Sequence, residues 1–537
     1  MNEAMKQIQK AIGLTSKRLW PKGALKKQDR DALADYCVNL ISLDMPENDP
    51  LMFSISDLSM RDRAYWAGYL YASTVANSYR KNMAMYFTPP PLAEYVLDRA
   101  KKFGVDFAKG TFIDLAAGGA AFVEPIFDRM LIEGCPRKEI DNRICGVEID
   151  PALAAIAKEC INHRAETKLD KVIISGDGLR HNKLDAYDAV IGNPPYRVMS
   201  KKERKALPDW ASPCVDYANL YSVFTIQAIR LAKPGGVVSL LIPTSFITGE
   251  YFKKFRKWMR ANADVLAIDL IEGRQCAFLD VAQDICLLSL RKKAPKQKPP
   301  SKIELRSVTA EGEWKSIGQV DLPTDLGDSW NLRTTFVKYT AFSLSDYGYS
   351  VRCGSIVHNR DSGLVESALR PKKSLVPLVW GHAIKINEPV IPVPSKASTD
   401  HKKATFVSIK GREASLLSES AVVLQRTTSG DQSRRLRAAT VDDNWIQKYG
   451  GFYAENHVVV VTPENGKEHL SSEWMCKVLN TKAVDLRMRP LLTSNSVNIS
   501  ALRKLPLPDP EKLKATLTKH SWKISSIEEA VEEAYST

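Results

Sequence analysis

The chain has 537 residues, 44% of them hydrophobic and 26% charged, a composition typical of a globular protein with about two or three domains. Its formal net charge of +14 favours a polyanionic partner, either nucleic acid or an anionic membrane, although the same charge also serves solubility alone. The most apolar stretch, residues 237–243, is too short to span a bilayer, and the polar start at Met1–Lys6 has no secretory signal core. The nine cysteines form no Cys-x-x-Cys pair, which argues against a disulfide framework or a metal site and predicts a cytoplasmic protein.

Residues 1–80 predict a helical extension, in which the aromatic-rich stretch Ala64–Tyr71 has the spacing of a packed helix face. The segment that follows contains three consecutive prolines, which are typical of the first turn of a helix. We expect Thr88 to cap that helix, with Tyr86 and Phe87 exposed just ahead of it.

Three predicted strands come next, each with a distinctive tip. Thr111–Leu115 leads into the small-residue turn Ala116–Phe122, where backbone can approach a ligand closely and a helix N-terminus offers free N–H groups. Cys145–Glu148 ends in an acid, the position that binds ribose hydroxyls in nucleoside-binding α/β folds. Lys171–Ser175 runs on to Asp177, whose carboxylate is able to accept a hydrogen bond from an adenine amine.

The most informative stretch begins with Ala189–Ile191, an apolar run that predicts a short buried strand. It ends in Gly-Asn-Pro-Pro-Tyr, and the two prolines prevent any regular element from continuing. The Asn193 side-chain oxygen and the Pro194 carbonyl are both able to accept hydrogen bonds from an exocyclic amine, and Tyr196 is able to stack on the ring that carries it. A tight Asn-Pro turn is the plainer interpretation, but the complete motif after a buried strand favours catalysis.

Alternation of strands and helices continues to about residue 290. A helix is predicted from Asn219 to Leu231, with strands at 237–243, 265–271 and 285–290. This alternation predicts an α/β fold with a largely parallel sheet and ligands at the carboxyl ends of its strands. The predicted site residues at such ends are Asp114, Glu148, Asp177 and Asn193.

The basic, proline-rich segment 292–302 predicts a linker, and the alternation weakens beyond it. Basic and hydroxyl side chains are mixed in the part that follows, which suits contacts to phosphates and base edges, although a solvated charged face explains any one arginine as well. The predicted DNA-binding residues are Arg426, Thr427, Arg434, Arg435 and Arg437.

The order of these motifs resembles that of the S-adenosylmethionine-dependent N6-adenine DNA methyltransferases of the gamma motif order, as in type II modification enzymes. The resemblance covers residues 80–291 strongly and 340–510 more loosely. It implies a Rossmann-like class I methyltransferase domain at 81–291 with a largely parallel seven-stranded sheet. It also implies a mixed α+β target-recognition domain at 303–537.

The resemblance implies a role for each motif residue. The residues that would bind the cofactor, from its methionine end to its adenine, are Tyr86, Phe87, Thr88, Pro89, Asp114, Ala116, Gly118, Glu148, Ile149, Asp177 and Asn193. Within this set Glu148 would hold the ribose hydroxyls, Ile149 would pack on the adenine and Asp177 would bind its amine. The residues that would hold the target base are Asn193, Pro194, Tyr196 and Phe278.

The glycine-rich turn departs from the pattern of the family. The family has proline and a second glycine where this chain has Leu115 and Ala120. Alanine is tolerable at the second position if its φ stays negative, and otherwise cofactor affinity should suffer.

The expected function is therefore site-specific methylation of adenine N6 in double-stranded DNA by a monomer, beside a separately encoded restriction endonuclease and without membrane association. Methylation of cytosine N4, of RNA bases or of protein glutamine are alternatives for the same motif. A catalytically inactive DNA-binding protein on the same fold is a further alternative. A fused nuclease is disfavoured, because about 80 residues ahead of the catalytic part leave little room for one.

Overall fold

The protein divides into two compact units, Met1–Thr334 and Thr335–Thr537. The computed structural model describes residues 3–19, 27–83, 85, 87–214, 219–272, 284–330, 332, 342–357, 365–366, 375–386, 388–392, 406–428, 434–464, 466–489, 497 and 499–536. None of the helices in these ranges combines the length and apolar composition needed to cross a membrane.

A nine-stranded sheet forms the centre of the first unit. Its strands are β1 (Phe112–Asp114), β2 (Ile144–Glu148), β3 (Ile173–Ser175), β4 (Tyr187–Gly192), β5 (Ala232–Pro243), β6 (Ala263–Ile271), β7 (Ile285–Lys292), β8 (Ile303–Val308) and β9 (Trp314–Val320). Their order across the sheet is β3-β2-β1-β4-β5-β7-β6-β8-β9. The first five strands in this order run parallel, β7 is antiparallel to both of its neighbours, and β8 returns parallel to β6.

Helices surround this sheet. Those of the first unit are α1 (Glu3–Leu19), α2 (Lys27–Ser42), α3 (Met52–Ile55), α4 (Met60–Thr74), α5 (Asn77–Met83), α6 (Pro90–Lys102), α7 (Val123–Ile132), α8 (Arg137–Ile140), α9 (Pro151–Ala165), α10 (Lys201–Lys205), α11 (Leu220–Leu231), α12 (Ser245–Thr248) and α13 (Lys253–Asn262). Local sequence explains how α9 begins, since Pro151 suits a first turn and the Asp150 carboxylate accepts hydrogen bonds from the N–H groups of Ala152 and Leu153. The predicted α/β architecture with a largely parallel sheet is confirmed.

The predicted count of seven strands is wrong, because β8 and β9 extend the sheet beyond β6. The buried guanidinium of Arg99 on α6 links β8 to β6, since it pairs with Asp269 on β6 at 2.6 Å and with Glu304 on β8 at 3.0 Å. The basic segment 292–302 consequently lies inside the first unit, which ends at residue 334 and not at the predicted boundary.

The N-terminal helices share one continuous core with the sheet domain. Leu33 on α2, Leu70 on α4 and Ile156 on α9 all belong to it, and each is fully buried. Burial of this kind stabilises the fold in proportion to the apolar area removed from water. The residues predicted as an extension therefore form an integral part of the unit.

In the part of the second unit that the structure describes, two four-stranded sheets combine with helices. Its strands are β10 (Tyr349–Cys353), β11 (Val365–Glu366), β12 (Leu375–Val379), β13 (Phe406–Ser408), β14 (Ala421–Gln425), β15 (Ala438–Val441), β16 (Tyr453–Ala454) and β17 (Val458–Pro463). Their orders are β10-β17-β14-β15 and β11-β13-β12-β16. The helices are α14 (Asp443–Tyr449), α15 (Ser472–Leu479), α16 (Lys482–Met488), α17 (Ile499–Arg503), α18 (Pro510–Lys519) and α19 (Ile527–Ser536).

Candidate active site

The candidate site lies where the strand order of the first unit reverses. Strands β1 and β4 are neighbours, and the sheet continues through β2 on one side and β5 on the other. Such a switch point leaves a crevice at the carboxyl ends of the two strands, where α/β proteins bind ligands. A cavity of 820 Å³ includes in its lining Phe87, Gly118, Glu148, Asp177 and Asn193. The structure therefore brings together four of the strand tips and turns that the sequence singled out.

The loop after β4 presents the Asn193 amide to this cavity. Its Nδ2 donates a hydrogen bond to Thr88 Oγ1 at 3.1 Å, and the Tyr196 hydroxyl contacts its Oδ1. No described residue donates a hydrogen bond to the Pro194 carbonyl, so this oxygen stays available as an acceptor. Gly192 is required just before the amide, because a Cβ there would lie 2.6 Å from Asp114 Oδ1.

Thr88 has a different role from the predicted one. Helix α6 begins at Pro90 with Pro89 as its N-cap, and no side chain caps it. Thr88 precedes that cap and is 2% exposed, with its hydroxyl accepting from Asn193. The prediction of a helix cap was wrong, because the threonine lies one residue too early to reach the first free N–H groups.

Tyr196 is 6% exposed and does not contribute to the cavity lining, although Pro195 beside it does. Its hydroxyl lies 3.0 Å from the backbone carbonyl oxygen of Leu241 on β5, in addition to its contact with Asn193. In this conformation the ring is covered and the hydroxyl contacts the Asn193 amide. The expected stacking of Tyr196 on a target base stays a prediction.

Two buried carboxyl groups lie at the tips of β1 and β2. Glu148 accepts hydrogen bonds from the backbone N–H groups of Gly118 and Asp150, each at 2.8 Å. Asp114 accepts from Ala116 N–H at 3.0 Å, and its Oδ2 has no hydrogen-bond partner among the described residues. Burial raises the pKa of each carboxyl to about 7. Asp114 itself does not line the cavity, whereas its chain neighbours Leu115 and Ala116 do.

The turn after β1 contains Ala120, the position at which the family has a second glycine. The sign of φ at this residue decides whether alanine fits there without strain. Gly118 has φ of 53° and Ala120 has φ of 70°, so the alanine lies in the left-handed region. An L-residue there costs about 1–2 kcal/mol relative to the right-handed helical region. The condition of a negative φ is not met, and Ala120 is a strained position in the turn after β1, although it does not line the cavity itself.

The remaining predicted cofactor residues are placed as follows. Ile149 is 54% exposed and lines the cavity, so its side chain is accessible to a ligand there. Asp177 also lines the cavity and accepts from Leu179 N–H at 3.0 Å. Tyr86 and Phe278 lie outside the described residues.

The cavity also extends along residues that the sequence analysis did not single out. They include Met199, Leu207, Trp210, Phe224 and Arg230. The Arg230 guanidinium lies 4.4 Å from the centre of the Trp210 ring, a cation–π contact across the cavity wall. In the sequence, this part of the cavity is marked by only a single tryptophan in a charged stretch after the Asn-Pro-Pro-Tyr motif. One such residue does not predict a ligand site.

In the second unit, most of the predicted DNA-binding residues make contacts within the protein. Arg426 donates to the Asn456 carbonyl at 2.8 Å, and Arg434 pairs with Glu528 at 2.9 Å. Arg435 is 5% exposed, with its Nε donating to Thr428. A buried arginine is not available to phosphate, so its assignment to a DNA surface is corrected.

The other two of these predicted residues have different environments. Thr427 is exposed and Arg437 is half-buried. Their contact with DNA stays a prediction.

Comparison with known proteins finds restriction-modification methyltransferases among the matches. Residues 142–278 match the Eco57I restriction-modification methylase family. Type II methyltransferase M.BsuBI of Bacillus subtilis is 23% identical over 485 residues, covering 84% of this chain and 91% of that protein. Type II methyltransferase M.PstI of Providencia stuartii is 25% identical over 363 residues, covering 62% of this chain and 68% of that protein.

The fold has a counterpart among solved structures. The Type IIL restriction-modification enzyme MmeI in complex with DNA aligns with a TM-score of 0.55 at 13% identity, over 96% of this chain and 87% of that chain. At this identity the likeness shows the fold alone. The predicted resemblance to type II modification methyltransferases is confirmed by the sequence matches, and with it S-adenosylmethionine as the cofactor. The gamma motif order and the choice of adenine stay predictions.

Proposed function

Because the chain is a DNA methyltransferase similar to the modification enzymes of restriction-modification systems, we propose that it methylates the N6 amine of an adenine flipped out of duplex DNA. We further propose that a separately encoded restriction endonuclease cleaves the same site when it is unmethylated. The observation that carries the proposal is the position of Asn193. Its amide is held by Thr88 and Tyr196 at the tip of β4, in the lining of the cavity that also contains Glu148.

The loop supplies two acceptors for one amine. Asn193 Oδ1 and the Pro194 carbonyl would each accept an N–H bond of the exocyclic amine, which draws the nitrogen lone pair away from ring conjugation. Unstacking the base costs a few kcal/mol, and each aromatic stacking contact returns about 1–3 kcal/mol. The predicted stacking partners are Tyr196 and Phe278.

The residues present fit the cofactor. Glu148 supplies an acceptor for ribose hydroxyls, and Ile149 and Asp177 supply an apolar face and an acceptor for the adenine. Phe87 lines the same cavity, and an aromatic ring attracts a sulfonium cation as it attracts an ammonium. S-adenosylmethionine supplies a methyl group bonded to a positively charged sulfur. The sulfur leaves as a neutral thioether, so the transfer does not require a metal to activate the leaving group.

The contribution of the chain to the reaction is alignment and desolvation. Asn193 fixes the direction of the nitrogen lone pair, and the cavity wall excludes competing water. As the new N–C bond forms, the amine nitrogen becomes positively charged and releases one proton to solvent. We assign no side chain as general base.

Cytosine N4 is the second candidate acceptor. It is also an exocyclic amine on a planar ring, and the two acceptors of the loop contact only the amine. The alternatives are separated by incubating the full-length protein with unmethylated genomic DNA and S-adenosylmethionine carrying an isotopically labelled methyl group. The DNA is then digested to nucleosides. Label in N6-methyldeoxyadenosine supports the proposal, whereas label in N4-methyldeoxycytidine, or none, contradicts it.

A further inference from the structure

Helix α4 of the N-terminal region contacts the cofactor side of the site through Gly68. A Cβ added at Gly68 would lie 2.7 Å from Phe87 Cε1, so the ring of Phe87 packs directly on the backbone of α4. The same ring also lies next to the turn after β1, since Cβ positions at Gly118 and Gly119 would lie 3.8 and 3.9 Å from the same atom. Phe87 therefore packs against both α4 and the glycine-rich turn.

The same region reaches Glu148 by a second route. The hydroxyls of Tyr71 on α4 and Tyr79 on α5 donate hydrogen bonds to the Asp150 carboxylate, at 3.2 and 2.7 Å. Asp150 is 1% exposed, and its own N–H donates to Glu148 Oε1 at 2.8 Å. The two tyrosines thus hold Asp150 in place. Asp150 in turn donates a hydrogen bond to Glu148, the carboxylate predicted to bind the ribose hydroxyls.

We propose that helices α4 and α5 are part of the cofactor site, in which Gly68, Tyr71 and Tyr79 are positioning residues for Phe87 and Glu148. This inference rests on the proposed function, because it assigns to those two residues the binding of S-adenosylmethionine. It predicts that changes on the N-terminal helices alter cofactor affinity, although none of the three positioning residues lines the cavity.

The first test is Gly68→Ala in the full-length protein, with Gly13→Ala as the matched control. Gly13 lies in α1, and an added Cβ there meets nothing within 4 Å. Alanine favours a helix over glycine at both positions, so neither change should lower the melting temperature through backbone propensity. In Gly68→Ala the ring of Phe87 must shift, and we expect the Kd and KM for S-adenosylmethionine to rise on the order of tenfold. The kcat at saturating cofactor should stay near that of the wild type.

The second test is the double variant Tyr71→Phe, Tyr79→Phe, with Tyr36→Phe as its control. Tyr36 also donates to a buried carboxylate, that of Asp49 at 2.9 Å, and among the described residues this carboxylate accepts in addition from the N–H of Leu51 and not from a strand tip. The double variant should bind S-adenosylmethionine about tenfold more weakly, the size of effect that follows loss of a charged hydrogen bond. The control should retain wild-type affinity.

The outcomes separate the two proposals. Failure of the wild-type protein to bind S-adenosylmethionine would overturn the proposed function itself. Wild-type binding together with unchanged affinity in Gly68→Ala and in the double tyrosine variant would overturn the inference alone. A loss of melting temperature with unchanged Kd and KM would also overturn it, since a purely structural role predicts that result.

Discussion

At the scale of single residues, two hydroxyl groups among the described residues contact the Asn193 amide and help to orient it. Thr88 accepts from its nitrogen, and Tyr196 contacts its oxygen while also reaching the Leu241 carbonyl. A side chain held on both sides needs little reorganisation when it meets an amine, which is the main way a preorganised polar group contributes to rate.

Tyr196→Phe removes the hydroxyl and keeps the aromatic ring, so it tests the contribution of the hydroxyl alone. It should lower kcat roughly tenfold, the equivalent of one net hydrogen bond, and leave the Kd for S-adenosylmethionine unchanged. Tyr535→Phe is the control, because that buried hydroxyl donates to a backbone carbonyl at 2.7 Å in the second unit. A wild-type kcat in Tyr196→Phe would mean that the ring alone matters.

Ala120 provides a test of backbone strain. With φ of 70°, replacement by glycine should raise the free energy of unfolding by about 0.5–1 kcal/mol and strengthen cofactor binding. Ala121→Gly is the matched control next in the chain, outside the left-handed region, and it should destabilise the protein instead. The measurements are urea unfolding and titration with S-adenosylmethionine, and a loss of stability in Ala120→Gly would refute the assignment of strain.

The buried Asp114 links stability to pH. Its pKa is raised to about 7 in the folded state from 3.8, so between about pH 4 and 7 the folded state holds a proton that the unfolded chain releases. The free energy of unfolding therefore falls as pH rises through this window. Asp114→Asn should show a smaller decrease and greater stability at pH 8, with weaker cofactor binding.

Unfolding curves measured from pH 5 to 8 check this prediction. The surface variant Asp170→Asn serves as control, since its carboxylate pairs with Lys158 in solvent. An unchanged pH slope in Asp114→Asn would contradict the raised pKa.

At the scale of elements, the Arg99 ion pair explains how β8 joins the sheet. Asp269 is 0% exposed, so removal of its partner leaves a charge without compensation in the core. Arg99→Ala should lower the free energy of unfolding by about 3–5 kcal/mol, whereas Lys158→Ala at an exposed pair should cost less than about 1 kcal/mol. The combined variant Arg99→Met, Asp269→Leu should regain most of the lost free energy of unfolding, because it removes both charges. If it does not, the destabilisation of Arg99→Ala comes from disrupted packing and not from the unpaired charge of Asp269.

Much of the strand framework could be predicted from local patterns. The run Ala189–Ile191 lies in β4, and the acid of Glu148 ends β2, because buried strands followed by breakers leave a clear signal. The pairing of β8 with β6 could not be predicted, since it depends on a long-range contact across the basic segment 292–302. For the same reason no local pattern linked Tyr71 to Asp150.

At the scale of the whole molecule, a net charge of +14 suits a DNA-binding protein, but total charge does not locate the contacts. Arg434 and Arg435 show why, since both are engaged inside the second unit. The sequence relationship extends further than the family match at 142–278, because M.BsuBI aligns with 84% of the chain. The second unit is therefore part of what the chain shares with a type II methyltransferase.

The most direct test of the account compares the wild type with Asn193→Ala in two assays on the same preparations. One assay measures single-turnover methyl transfer to duplex DNA and the other measures binding of S-adenosylmethionine. Asn142→Ala, an exposed change that precedes β2, is the control. We predict that Asn193→Ala binds the cofactor almost normally and loses methyl transfer, by at least about a hundredfold. Near-normal transfer by Asn193→Ala would contradict it.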